Sequence, residues 1–217
     1  MPQSPESPEF FVLSYLGLRK AVGYIGTALP FVLAGGRVLE RGVGVESTLS
    51  AYYYTGMRDV FVGSLWAIAV FLLSYRGHDR RDDLMGNLAC VFGLGVALLP
   101  TAPPRSATAV ERWISAGHFA SSALFLLTLA YFSLVLFRRC APDEERTARK
   151  RQRNTVYAAC GYTMLASLAA IAVLYLVPAQ WPVHRLRPVF WLESIAIVAF
   201  GLSWLTKGQA ILKDLAE

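Results

Sequence analysis

The sequence is poor in charge, in histidine and in cysteine. Only 17% of its 217 residues are charged, whereas about 25% of an ordinary soluble domain is charged. The three cysteines include no Cys-x-x-Cys pair, so a disulfide framework or a zinc knuckle is excluded. Hydrophobic residues make up 55% of the chain, which is more than a soluble fold of this length buries. The composition therefore predicts a membrane protein.

Six apolar segments approach the length of a membrane span. A bilayer core of about 30 Å requires roughly 20 apolar residues per helix. We therefore predict an all-α fold with a single domain, residues 1–217, that forms a polytopic transmembrane helical bundle. The six predicted spans are residues 15–35, 59–76, 84–103, 112–138, 155–178 and 188–206.

The start of the chain allows two interpretations. Residues 1–9 are acidic and lack the basic region of a secretion signal, so the first span is expected to be retained. Arg19 and Lys20 interrupt its apolar stretch. Either one helix begins near Ser14 and its basic pair snorkels to the headgroups, or residues 10–18 lie flat at the interface. We prefer the single helix.

Basic residues are distributed unevenly between the two sides of the predicted bundle. The 21 Lys and Arg residues divide into fourteen on the side of both termini and seven on the other, and seven of the fourteen lie between Arg138 and Arg153. Because cytoplasmic loops carry the excess of Lys and Arg, both termini are predicted to be cytoplasmic. The net charge of +6 is then a topology signal, and nucleic acid is disfavoured as a partner.

Three ionisable residues, Asp59, His118 and Glu193, lie at one predicted level near the non-cytoplasmic face. A charge at the centre of a span costs about 2.5–3.5 kcal/mol on insertion scales, so such residues usually face the bundle interior or a watery cavity. We predict a polar cluster that could bind a lipid headgroup or a divalent metal, or perform acid–base chemistry. No other cofactor is evident. Possible contributors are Arg58, His184, Arg187 and Asn87.

Each member of this cluster also has a structural interpretation. Asp59 in a first helical turn is favoured by the helix macrodipole. Glu193 is able to pair with Arg187, and a single histidine near the end of a span commonly packs against neighbouring helices. The sequence leaves the functional and the structural interpretations open.

Two stripes of small residues predict close helix packing within the bundle. Small side chains let two membrane helices approach closely. One stripe lies in the first predicted span and the other in the third. Their members are Gly23, Gly26, Thr27 and Pro30 in the first span, and Asn87, Cys90, Gly93 or Leu94, and Ala97 in the third.

The middle of the chain carries a resemblance to a known group. YYYTGMRDVFVGSLWAIAVFLLSYRG is followed by DDLMGNLACVFGLGVALLPT and then by GHFASSALFLLTLAYFSLVLF. Together they resemble bacterial six-span membrane proteins of unknown function, distantly similar to the Frag/DRAM/Sfk group. The resemblance covers roughly residues 52–137 and implies a bacterial cytoplasmic (inner) membrane location. The matching positions are Asp59, Asn87, Pro100 and His118.

Three classes of function remain open from the sequence. The preferred hypothesis is a non-enzymatic protein that associates with membrane lipids or binds a protein partner, because no catalytic motif is present. The first alternative is a membrane-embedded hydrolase or lipid-modifying enzyme that uses Asp59, His118 and Glu193. The second is a small transporter or channel, which would require a homo-oligomer.

Overall fold

The computed structural model describes residues 8–42, 44–75, 79–103, 107–139, 147–178 and 180–213. Within these ranges the chain forms six α-helices and no strand, which confirms the all-α prediction. A 3-10 turn (Ser50–Tyr54) precedes the second helix, a π-helical turn (Phe132–Leu136) extends the fourth, and another 3-10 turn (Pro182–Leu186) precedes the sixth. The helices are α1 (Pro8–Arg41), α2 (Arg58–Leu73), α3 (Arg80–Leu98), α4 (Ala109–Tyr131), α5 (Ala148–Leu176) and α6 (Pro188–Lys207).

Four helical segments are long and apolar enough to cross a membrane: Tyr15–Arg41, Ala109–Leu136, Ala148–Leu176 and Pro188–Lys207. Helix α2 has 16 residues, which corresponds to about 24 Å at the α-helical rise. Helix α3 has 19 residues but opens with two arginines and two aspartates, which shorten its apolar part. By length and composition, the structure supports four of the six predicted spans.

Two helix ends differ from the predicted span limits, one because of a proline and one because of charged residues. Helix α1 is continuous from Pro8 to Arg41, as expected for the single-helix interpretation of the first span. Helix α3 ends at Leu98, before the predicted residue 103, because Leu99 precedes Pro100 and is extended. Helix α5 begins at Ala148, before the predicted residue 155, because its first turns are charged but helical.

Two helix pairs approach so closely that only glycine fits. A Cβ on Gly201 of α6 would lie 2.6 Å from the backbone nitrogen of Thr27 in α1, and a Cβ on Gly86 of α3 would lie 2.8 Å from the carbonyl oxygen of Leu72 in α2. Gly23 and Gly26 face α6 in the same way, which confirms the packing prediction for the α1 stripe.

The α3 stripe is confirmed only in part. Cys90, Gly93 and Ala97 are buried, whereas Asn87 is exposed. Asn87 therefore does not belong to the packing face, and its polar amide lies outside the helix contacts that the small residues make. Its position in the second turn of α3 follows the charged residues at the start of that helix.

The bundle has two ends, which we name after Glu193 and Lys207. Helices α1, α3 and α5 finish at the Glu193 end, where α2, α4 and α6 begin. A buried aromatic cluster fills the Lys207 end. The ring of Trp204 lies 5.5, 5.7 and 5.2 Å from those of Tyr75, Phe132 and Phe137, measured between ring centroids.

Candidate functional site

Glu193 lies in the second turn of α6, which starts at Pro188, a residue suited to the first position of a helix. Its Oε2 atom accepts a hydrogen bond from the backbone N–H of Leu49 at 2.6 Å. Nearby, the backbone N–H of Phe190 donates to the Ser47 carbonyl oxygen at 3.1 Å. The start of α6 thereby holds the α1–α2 loop, residues 44–57, against the bundle.

His118 is buried in α4, with 2% of its surface exposed. Its Nδ1 atom lies 2.6 Å from the carbonyl oxygen of Leu99, and its Nε2 atom lies 2.8 Å from Ser50 Oγ. Because a carbonyl only accepts, Nδ1 carries a hydrogen and the neutral ring accepts from the Ser50 hydroxyl at Nε2. His118 therefore joins α4 to the end of α3 and to the α1–α2 loop.

Glu193 borders three cavities at this end of the bundle. An internal cavity of about 50 Å³ also touches Ser50 and Ser122. A second, of about 380 Å³, lies where α4, α5 and α6 meet, and we call it the lateral pocket. A third, of about 410 Å³, lies under the α1–α2 loop, and we call it the loop pocket. Glu193 is thus the side chain that these cavities share.

The lining of the lateral pocket is amphipathic. Five of its lining residues, including Glu193, carry a polar atom or an aromatic ring, whereas the other five are aliphatic. The Oγ atom of Ser122 is buried without a hydrogen-bond partner among the described residues. The lining residues are His118, Phe119, Tyr175 and Glu193, and Ser122, Ala123, Leu126, Leu168, Ile171 and Ala172.

The structure brings together two of the three predicted site residues. His118 and Glu193 line the lateral pocket, whereas Asp59 is exposed in the first turn of α2 and lines none of the three cavities. Within the described part of the chain, no group of three or more His, Cys, Asp or Glu side chains is placed to hold a metal ion. The predicted ligand set of Asp59, His118 and Glu193 is therefore not assembled.

The predicted contributors lie outside the lateral pocket. The Arg58 guanidinium donates to Tyr53 Oη at 2.8 Å and lies 4.4 Å from the centre of that ring. His184 Nε2 lies 3.3 Å from the carbonyl oxygen of Val177. Arg187 has a left-handed backbone conformation just before α6. Among the described residues, Glu193 forms no ion pair with Arg187 or with another basic side chain.

Sequence reasoning missed the residues that the α1–α2 loop brings to the site. Leu49 contributes a backbone N–H and Ser50 a hydroxyl, and both lie outside the predicted spans. Leu49 and Glu193 are 144 positions apart, so no local pattern signals their contact. In the sequence, Tyr175 is indistinguishable from the other aromatic residues that lie near the ends of spans.

Comparison of the chain with protein-family profiles, with curated proteins and with solved structures finds no match in any of the three. The resemblance to the six-span membrane proteins stays a prediction.

Proposed function

We propose that the protein is a non-enzymatic, lipid-binding membrane protein whose lateral pocket receives a membrane lipid. The observation that carries the proposal is the amphipathic lining of a pocket between three helices that are long and apolar enough to cross a membrane. A lipid entering between these helices would place its hydrocarbon chain along the aliphatic part and its headgroup beside Glu193. The volume of about 380 Å³ lies within the roughly 300–1,000 Å³ of ordinary ligand pockets.

The hydrogen bonds of the site favour binding over catalysis. Both ring nitrogens of His118 and one carboxylate oxygen of Glu193 are engaged in holding the α1–α2 loop and the end of α3. Binding of a metal ion by His118 would require one of its two ring contacts to break. A binding role leaves them in place, because the second oxygen of Glu193 and the adjoining aromatic rings still line the pocket.

The proposal is tested by photo-crosslinking in proteoliposomes that contain a phospholipid with a photoactivatable acyl chain. Ala172→Phe fills the lateral pocket from α5 and is expected to reduce crosslinking to α4, α5 and α6. Ala159→Phe is the matched control, because Ala159 is also an exposed alanine of α5 but lines a different groove, between α1, α5 and α6. Crosslinking that is spread evenly over the helices, or that Ala172→Phe leaves unchanged, would contradict the proposal.

A second candidate function, a membrane-embedded esterase, is favoured by one contact. Ser50 Oγ lies 2.8 Å from His118 Nε2, the geometry of a nucleophile beside its general base. We rank it second because the carboxylate of Glu193, which borders the same two cavities as Ser50, would oppose a developing oxyanion. Release of fatty acid from an ester lipid by the wild type, and its loss in Ser50→Ala, would move it to first place.

We infer further that α2 and α3 complete a six-span bundle with the Lys207 end in the cytoplasm, in a bacterial inner membrane. The excess of Lys and Arg on the side of the termini supports this orientation. Reporter fusions after Arg146 and after Gln180 should report the cytoplasmic and the opposite side, respectively. The same side for both fusions would contradict the orientation.

A further inference from the structure

Glu193 is half-buried, and only one oxygen of its carboxylate has a hydrogen-bond partner among the described residues. Oε2 is held by the Leu49 N–H, whereas no donor among the described residues contacts Oε1 and no basic side chain pairs with the carboxylate. A carboxylate in apolar surroundings is stabilised by an opposite charge or is neutralised by a proton. The lateral pocket offers Glu193 no protein cation, so a ligand is placed to supply one.

Aromatic rings stand beside this carboxylate. The ring of Phe119 lies 5.8 Å from that of His118 and 5.6 Å from that of Tyr175, with both pairs edge to face. Phe119 and Tyr175 are 45% and 57% exposed, so part of each ring is free for a ligand. Aromatic faces next to a negative charge are the usual surroundings of a bound ammonium group.

The charge of the neighbouring loop pocket has the same sign. Its lining contains Glu46 and Glu193, and no Lys, Arg or His among the described residues, and the described lining of the lateral pocket contains no Lys or Arg. Glu46 is already paired with Arg37 at 2.6 Å, which leaves Glu193 as the carboxylate that lacks a basic partner. An anionic headgroup would meet repulsion here, whereas the Ser47 hydroxyl lines the same pocket and could contact the polar part of a larger headgroup.

We propose that the lateral pocket binds an amphiphile whose ammonium head pairs with Glu193 beside the exposed parts of the Phe119 and Tyr175 rings, and whose hydrocarbon chain lies between α4, α5 and α6. This inference rests on the proposed lipid-binding function and names its ligand class. The ammonium group belongs either to an aminophospholipid headgroup or to a free long-chain amine, and both present the same cation to Glu193.

The test measures binding to the full chain in dodecyl maltoside by native mass spectrometry. The probes are phosphatidylethanolamine and phosphatidylglycerol with identical acyl chains, and dodecyltrimethylammonium. We expect an ammonium probe to bind at least about tenfold more tightly than phosphatidylglycerol. Glu193→Gln should remove most of this preference without lowering the affinity for phosphatidylglycerol. Preference for phosphatidylethanolamine alone would identify a phospholipid, and preference for dodecyltrimethylammonium alone a single-chain ammonium amphiphile without a phosphate.

Two variants separate the failure of this inference from the failure of the proposed function. Suppose that Ala172→Phe lowers the affinity for every probe but Glu193→Gln leaves the headgroup preference unchanged. The lipid-binding function then stands, and the ammonium assignment is overturned. If Ala172→Phe weakens none of the probes, the pocket itself is refuted. If the Glu193→Gln protein does not fold, Phe119→Leu and Tyr175→Leu replace it. Each should lower the affinity for dodecyltrimethylammonium severalfold and leave the affinity for phosphatidylglycerol unchanged. If neither variant changes the affinity for dodecyltrimethylammonium, the assignment is overturned.

Discussion

The two ends of the bundle use their buried side chains for different purposes. At the Lys207 end, Trp204 and three other aromatic rings fill the space between helices. At the Glu193 end, His118 and Glu193 form hydrogen bonds with the α1–α2 loop, and both side chains line the lateral pocket. The comparison indicates that one end holds the fold together, while the other positions a loop around a pocket. Substitutions should therefore lower overall stability most at the Lys207 end and change local order and binding at the Glu193 end.

The largest effect is expected for Trp204→Ala. Trp204 is 1% exposed, and its loss should lower the free energy of unfolding by about 3–5 kcal/mol, as measured by denaturation in detergent. Trp113→Ala is the matched control, because Trp113 is 79% exposed, and it should be nearly neutral. Equal losses from the two variants would contradict the assignment of the Lys207 end as the packed end.

Gly201→Ala tests the close approach of α1 and α6. The added Cβ would meet backbone atoms of α1 at 2.6 and 2.7 Å, so the helices must separate, at a cost of about 1–3 kcal/mol. Gly63→Ala in α2 is the control, because its Cβ would meet nothing within 4 Å. The thermal unfolding midpoint should fall for Gly201→Ala and stay level or rise for Gly63→Ala. If the midpoint fell by the same amount in both variants, the close α1–α6 contact would not be the cause of the destabilisation.

His118→Ala sharpens the comparison from the Glu193 end. It leaves Ser50 Oγ and the Leu99 carbonyl without their partner, which costs about 1–3 kcal/mol. The loss should appear as faster hydrogen exchange in residues 44–57, with little change around Trp204. His184→Ala is the control, because its one ring contact is long, at 3.3 Å. Exchange that rises equally at both ends would show that His118 supports the whole bundle.

The smallest effect is a dependence of stability on pH at the Lys207 end. The pKa of Asp79 lies below its ordinary value, first because the backbone N–H of Asp82 donates to its carboxylate and then because Arg139 lies 3.1 Å away. Ionised Asp79 therefore stabilises the folded state above its unfolded pKa of about 3.9, and this contribution is lost as pH falls through the lower folded pKa.

Asp79→Asn should consequently be less stable than the wild type at neutral pH and similar to it in strong acid. Thermal unfolding midpoints measured from neutral pH down into the acid range would show a shallower pH dependence for the variant. Parallel curves for the two proteins would mean that Asp79 does not contribute to the acid sensitivity.

Much of the architecture was predictable because it depends on local patterns. Apolar runs predicted the helical class, and the small residues of α1 predicted close helix packing, which the structure shows to be with α6. The helix ends were less predictable, since Pro100 stops α3 while the charged start of α5 stays helical. Counting apolar residues also did not predict the lengths of α2 and α3. Their apolar parts are shorter than a full span because the ends of these helices are charged or give way to a turn.

By itself the sequence determined an all-α, apolar chain, and it marked His118 and Glu193 as unusual, because composition and periodicity express solvent preference directly. Only the tertiary structure decided that these two residues meet around one pocket while Asp59 stays exposed. The reason is physical: their common neighbours, Leu49 and Ser50, belong to a loop far away in the chain, and the contacts form only when six helices pack and bring that loop against α4 and α6.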